Sequence, residues 1–226
     1  MPGKLIVIDG LDGSGKTTQH SLAVESLLKR NINAMGISFP NYDEPSSALI
    51  KMYLGGEFGK NPSDVNAYAA SSFYAVDRYA GYKKFWESFY SDGGVVVAAR
   101  YTSSNMFHQM CKLPEREWDS FLQWIEDYEY VKLCIPKPDT VIFLDMDPLV
   151  SRQLISKRYG GNETKRDVHE QNFEYLLSCR KAALYASDKL GFSVVSCSEN
   201  GKPYSVDETQ KNILRIVLEA IGFDRI

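Results

Sequence analysis

With 226 residues, 44% of them apolar and 24% charged, and a formal net charge of −3, the chain can bury a sizeable core and carries no surplus of positive charge. That balance disfavours nucleic acid as a partner. No apolar run approaches the ~18 residues of a spanning helix and no basic-then-apolar leader opens the chain, so the expectation is a cytoplasmic protein with no membrane partner. Four cysteines, Cys111, Cys134, Cys179 and Cys197, stand far apart without a C-x-x-C pair, and read as reduced thiols rather than zinc ligands or disulfides.

The first element expected is a strand over residues 4–9, a β-branched apolar run. Directly behind it, Gly10-Leu11-Asp12-Gly13-Ser14-Gly15-Lys16-Thr17 fits the pattern G-x-x-x-x-G-K-[ST] of a phosphate-binding loop, and a helical stretch over 15–30 follows. Glycines let backbone N–H groups turn toward an anion, and the helix behind them presents its positive end to the same anion. Gly10, Asp12, Gly13, Ser14, Gly15, Lys16, Thr17 and Thr18 are therefore the candidate residues for contacting a nucleoside triphosphate. Lys16 would reach the β- and γ-phosphates, and the Thr17 hydroxyl would hold Mg²⁺.

Further strands are expected at 33–38, 94–98, 140–144 and 192–196, the third and fourth being unbroken apolar runs of the buried parallel type. Helical stretches are expected at 44–54, 63–91, 115–131, 147–158, 168–190 and 204–220. Ser63 is a candidate N-cap, Asp147 with Pro148 behind it another, and Gly191 a helix stop. This alternation implies a single α/β domain over 1–226, a three-layer fold with a five-stranded parallel sheet flanked by helices and ligands at the carboxyl ends of the strands. Residues 157–167 carry two glycines and four basic residues between two helices. They read either as a solvated connector or as a mobile lid bringing cations over a phosphate chain.

A phosphate loop alone names no acceptor. Taken with Phe39-Pro40, with Phe73-Tyr74-Ala75-Val76-Asp77-Arg78, with Arg100-Tyr101-Thr102-Ser103-Ser104-Asn105, and with Leu144-Asp145-Met146-Asp147-Pro148 ahead of Lys157-Arg158, it resembles the thymidylate kinase family over nearly the whole chain. That resemblance implies a P-loop kinase fold, ATP as donor with Mg²⁺, dTMP as acceptor, and a homodimer. It implies that Asp12 binds the deoxyribose 3′-hydroxyl and that Arg100 clamps the acceptor phosphate. Phe39, Pro40, Tyr74, Arg78, Tyr101, Ser104, Asn105 and His108 would line the acceptor site, with Arg158 and Arg166 as lid cations. Lys16, Arg100, Arg158 and Arg166 are the implied catalytic set. Taken residue by residue, Tyr74 reads as a base-stacking ring or as core. Arg78 reads as a donor to a base carbonyl or as the partner of a nearby acid such as Asp77. Ser104 and Asn105 read as pocket wall or as helix caps, and the aromatic-rich stretch 63–91 as a dimer face or as core.

The chain departs from the family pattern at two places, and within the range of the family it has a small residue at position 13. Ala99 stands where an Asp usually precedes the strand-three arginine, and Asp9, Asp12 and Asp145 are the acids that could substitute for it. Asn41-Tyr42 stands where an arginine often touches the acceptor phosphate, with Lys51 as a compensating candidate. Gly13 replaces an arginine found in some relatives, which moves the catalytic arginine to the lid, at Arg166 or Lys165. These departures keep two other readings open: a kinase for another deoxynucleotide or nucleoside, and a nucleotide-binding protein with weak catalysis.

Overall fold

The computed structural model describes residues 2–158 and 173–223. Five parallel strands, β1 Lys4–Gly10, β2 Ala34–Ser38, β3 Val95–Ala99, β4 Thr140–Asp145 and β5 Ser193–Ser196, form one sheet in the order β2-β3-β1-β4-β5. The register pairs Ile8 with Ala99 and Ile8 with Ile142, which sets the carboxyl ends of β1, β3 and β4 side by side. Period-two alternation buries β1 on both faces. Ile6 and Ile8 join a cluster with Ala23, Leu27, Ile213 and Val217, whereas Leu5 and Val7 join Trp86, Val96 and Ala98. Helix α1 (Lys16–Lys29) accordingly lies on the first face beside the C-terminal helix Val206–Ala220. The opposite layer packs Phe107, Phe121, Ile125 and Cys179 around Phe143 of β4.

Between these elements run α2 (Ala48–Leu54), α3 (Ala67–Gly81), α4 (Glu87–Ser91), α5 (Thr102–His108), α6 (Trp118–Glu126), α7 (Pro148–Arg158) and α8 (Phe173–Leu190), with α9 being Val206–Ala220. Three expected helices are not continuous, and the first of them, 44–54, opens as a 3₁₀ turn, Pro45–Ser47, ahead of α2. The stretch 63–91 divides into α3, a π-helical turn Tyr82–Trp86 and α4. Its cap is Asn66, which accepts from the Ala69 amide, and not Ser63, which lies in a 3₁₀ turn opened by Asn61 and Pro62. The stretch 115–131 likewise begins as a 3₁₀ turn and ends in a π-helical turn, Asp127–Lys132. Helix α5 was not expected from the sequence, because its polar first turn lacks an apolar stripe. After β5 a two-strand antiparallel hairpin follows, β6 Ser198–Glu199 and β7 Lys202–Pro203. Asp147 caps α7 through the Leu149 amide at 2.8 Å, and Gly191 takes a left-handed φ of 69° just past α8, both as anticipated. All four cysteines are free thiols, and no described helix is long and apolar enough to cross a membrane.

Candidate active site

The turn between β1 and α1 is set by two left-handed glycines, Gly13 (φ 77°) and Gly15 (φ 84°). A Cβ on Gly13 would come within 2.7 Å of Ser151 Oγ and 2.9 Å of the Ser151 carbonyl, so α7 closes over that position and no larger residue fits without displacement. A Cβ on Gly15 would meet nothing within 4 Å, which leaves open space on that side of the loop. The Ser14 hydroxyl is buried with no hydrogen-bond partner. An orphaned donor beside an open turn, at the N-terminus of α1, has the form of an anion cradle and fits a phosphate chain.

Lys16 folds back onto this loop, donating to the Leu11 carbonyl and to Asp12 Oδ1, both at 3.2 Å. Asp12 is also held by Arg100 Nη2, and the Ser151 hydroxyl donates to its main-chain carbonyl. Burial opposes ionisation of Asp12, but Lys16, Arg100 and His108 outweigh it and hold the carboxyl well below the usual carboxylate range. Burial and then the neighbouring Arg100 charge push Lys16 down to about 8, against the pull of Asp12 and Asp9. Arg100 follows β3 with φ 67°, a left-handed conformation that costs a non-glycine residue of order 1–3 kcal/mol. This conformation carries the side chain to Asp12 and to within 3.3 Å of His108 Nε2.

These groups face a cavity of about 310 Å³, near the lower bound for small-molecule sites. Of the expected residues, Asp12, Lys16, Thr17, Phe39, Pro40, Tyr74, Arg78, Arg100, Ser104, Asn105 and His108 line it. Gly10, Gly13, Ser14 and Gly15 form the loop behind Lys16, and Thr18 is exposed on α1. Tyr101 is a correction to the expected lining: it is fully buried in the core with Phe39 and Trp86, and its hydroxyl donates to the Pro136 carbonyl at 3.0 Å. Lys51 is exposed on α2 and is not among the lining residues, so it does not stand in for the missing arginine. Tyr42, Leu54 and Gln109 line the cavity as well. Arg158 is the last residue of α7, while Lys165, Arg166 and most of the expected lid lie outside the described residues.

The far wall is a buried ionic network. Arg78, 2% exposed, meets Glu129, 0% exposed, through Nε and Nη2 at 2.6 Å each. Burial works against the Arg78 charge, and Glu129 more than restores it. Thr102 Oγ1 donates to the same carboxylate at 2.9 Å and Asn105 Nδ2 at 3.2 Å. Arg78 thus has an acidic partner, but it is Glu129 and not Asp77. Asp77 instead accepts from the Asn41 amide at 2.9 Å and the Ser46 hydroxyl at 2.5 Å, pinning the segment after β2.

Of the three acids considered for position 99, Asp145 is paired with Arg180 at 2.7 and 2.9 Å, and Asp12 bridges Lys16 and Arg100. Asp9, at the carboxyl end of β1, is buried and accepts from Ser103 at 2.5 Å, from Ser104 at 2.8 Å and from the Gly10 amide at 2.8 Å. No cluster of three metal-ligating side chains occurs among the described residues. The donors present are hard oxygens, the Thr17 hydroxyl and the carboxylates of Asp12 and Asp9. They fit Mg²⁺, which keeps several waters and takes one or two carboxylates plus substrate phosphates rather than an all-protein cage.

A glycine-turned loop at the carboxyl end of the central strand, with its lysine facing a cavity in a doubly covered parallel sheet, defines a P-loop kinase fold. Residues 8–204 match the thymidylate kinase family. The chain is 27% identical over 215 residues to a probable thymidylate kinase of Pyrobaculum aerophilum, covering 93% of this chain and 97% of that protein. It is 30% identical over 188 residues to the thymidylate kinase of Mycobacterium tuberculosis, covering 80% and 84%. The fold is shared with the thymidylate kinase structure from Candida albicans, with a TM-score of 0.70 at 20% identity over 99% of this chain and 94% of that one. The chain belongs to the thymidylate kinase family.

Proposed function

We propose that this chain transfers the γ-phosphoryl group of ATP to dTMP, giving dTDP and ADP. The observation that carries this reading is the sharing of Asp12 by Lys16 and Arg100 inside one cavity. A donor-side cation and an acceptor-side cation are held about one carboxylate, in the place where two phosphate groups have to meet. Phosphates arriving from either side draw Lys16 and Arg100 away and release Asp12 to accept a hydrogen bond from the 3′-hydroxyl of the acceptor sugar. Catalysis is then positioning and charge neutralisation, with no covalent intermediate.

In this reading Gly10, Gly13, Ser14, Gly15 and Thr18 surround the donor phosphates with Lys16. Arg100 orients the acceptor phosphate, with Phe39, Pro40, Tyr74, Arg78, Ser104, Asn105 and His108 around its nucleoside. Thr17 would hold Mg²⁺, and Asp9 would supply the outer carboxylate that Ala99 lacks. The metal, when bound, neutralises charge on the transferring phosphoryl group. Arg158 and Arg166 would close over the donor as lid cations, within one kinase domain spanning 1–226. Tyr79 and Phe85, both more than 40% exposed along α3 and the π-turn, support a homodimer packed through helices. The working compartment is the cytoplasm.

The test is ADP release with dTMP, dUMP, dCMP, dAMP and dGMP offered in turn. The expected result is highest turnover with dTMP. Turnover confined to another monophosphate, or to thymidine, would reassign the acceptor. Tight nucleotide binding with no ADP formed would leave a binding protein.

A further inference from the structure

Glu129 lies on the π-helical turn after α6, fully buried behind the cavity, and holds four donors. A carboxylate only accepts hydrogen bonds. The other partner of Asn105 Nδ2, the Ser71 carbonyl at 3.1 Å, is also an acceptor only. Turning the Asn105 amide over would set its oxygen against two acceptors, so the nitrogen has to face Glu129 and Ser71. Oδ1 is then the amide atom left for the cavity that Asn105 lines. Arg78 lines the same cavity. With Nε and Nη2 turned to Glu129, Nη1 is its least committed arm, at 3.4 Å from the Tyr101 carbonyl. The wall therefore offers one donor beside one acceptor.

We propose that Glu129 is a positioning residue that imposes this order of donor and acceptor on the wall. It thereby selects a base edge carrying a carbonyl beside a ring N–H, a 4-oxopyrimidine. A 4-aminopyrimidine presents an amino group beside a bare ring nitrogen, so donor meets donor and acceptor meets acceptor. The inference rests on the reading that the acceptor base lies against this wall. A purely structural role would lower activity on both bases together, whereas a polarity-setting role changes their ratio.

Glu129→Gln keeps the shape and turns one acceptor into a donor. With a donor in the place of the acceptor that faces Asn105, only the Ser71 carbonyl still orders that amide, and the orientation that presents nitrogen to the cavity becomes accessible. Thr102→Val removes a single donor to Glu129 with its shape retained, and supplies the measurement if Glu129→Gln does not fold. The experiment is kcat and KM for dTMP and dCMP at saturating ATP in the full chain. Glu129→Gln is expected to raise KM for dTMP roughly 10–100-fold with kcat changed far less, and to narrow the preference for dTMP over dCMP about tenfold or more. Thr102→Val is expected to move both quantities the same way by about two- to fivefold. A folded Glu129→Gln that keeps the wild-type preference overturns the inference, as does the same result in Thr102→Val where Glu129→Gln fails to fold. A wild-type enzyme that uses dCMP as well as dTMP overturns it while leaving the kinase standing. One that phosphorylates neither removes the function along with it.

Discussion

The two ends of the cavity solve the same problem, holding cations ready for a ligand, by opposite means. At the phosphate loop, backbone conformation does the holding. Gly13, Gly15 and Arg100 sit at positive φ, and Asp12, Lys16 and Arg100 remain partly open to solvent. At the far wall, side chains from three distant segments lock one another out of water, with Glu129 at the centre. The open end can exchange partners when a nucleotide arrives, whereas the closed end can only present what its network leaves over. The first arrangement suits chemistry and the second suits selection.

Substitutions should divide along that line. Lys16→Ala is expected to lower kcat by about 10³-fold or more, since it removes a cation facing developing charge, while stability stays within about 1 kcal/mol. Comparable turnover in the variant would break the assignment of the open end. Arg78→Ala should do the reverse. It leaves Glu129 buried and uncompensated, and urea denaturation should show a loss of about 3–5 kcal/mol. A loss under about 1 kcal/mol would mean that the far wall is not a locked network. Asp9→Asn, which weakens the acceptor of Ser103 and Ser104 and removes the proposed outer carboxylate, should cost roughly 10–100-fold in activity and raise the Mg²⁺ concentration for half-maximal rate.

A pH profile sharpens the contrast further. Lys16 loses its proton near pH 8 in the free enzyme, so kcat/KM for ATP should fall about tenfold per pH unit above that value. Stability should move the other way. Between pH 8 and the ordinary lysine value of 10.5 the unfolded chain binds the extra proton, so stability rises with pH across that window. An arginine at position 16 keeps its charge and should remove both slopes, at a lower rate. A kcat/KM that stays flat to pH 9.5 would contradict the assignment. The smallest effect is expected at Lys51, which is exposed and off the cavity: Lys51→Ala should change KM for the acceptor by less than about twofold.

The open end was legible because its chemistry is local. Eight consecutive residues behind an apolar strand carry the loop, and all five strands fall within one or two residues of the expected ranges. The closed end was not legible, because its partners lie up to 51 residues apart and depend on how helices pack. Arg78 has Asp77 beside it in sequence, yet packing pairs it with Glu129 and turns Asp77 to Asn41. One signal was available. Trp118, Phe121, Leu122 and Ile125 form the buried stripe of α6, and Glu129 falls on its continuation, where an acid requires a buried cation. Helix α5 escaped notice because its first turn is polar for the benefit of Asp9 and Glu129, a tertiary requirement without a periodic trace. The family resemblance puts Tyr101 in the pocket, but the left-handed turn at Arg100 sends the two side chains to different places.

Incubating ATP labelled with ¹⁸O in the γ-phosphoryl group with dTMP follows the transferred group itself. The expected product is dTDP carrying the label in its terminal phosphate, formed one for one with ADP and absent with Lys16→Ala. ADP appearing with labelled inorganic phosphate and no dTDP would contradict transfer to dTMP.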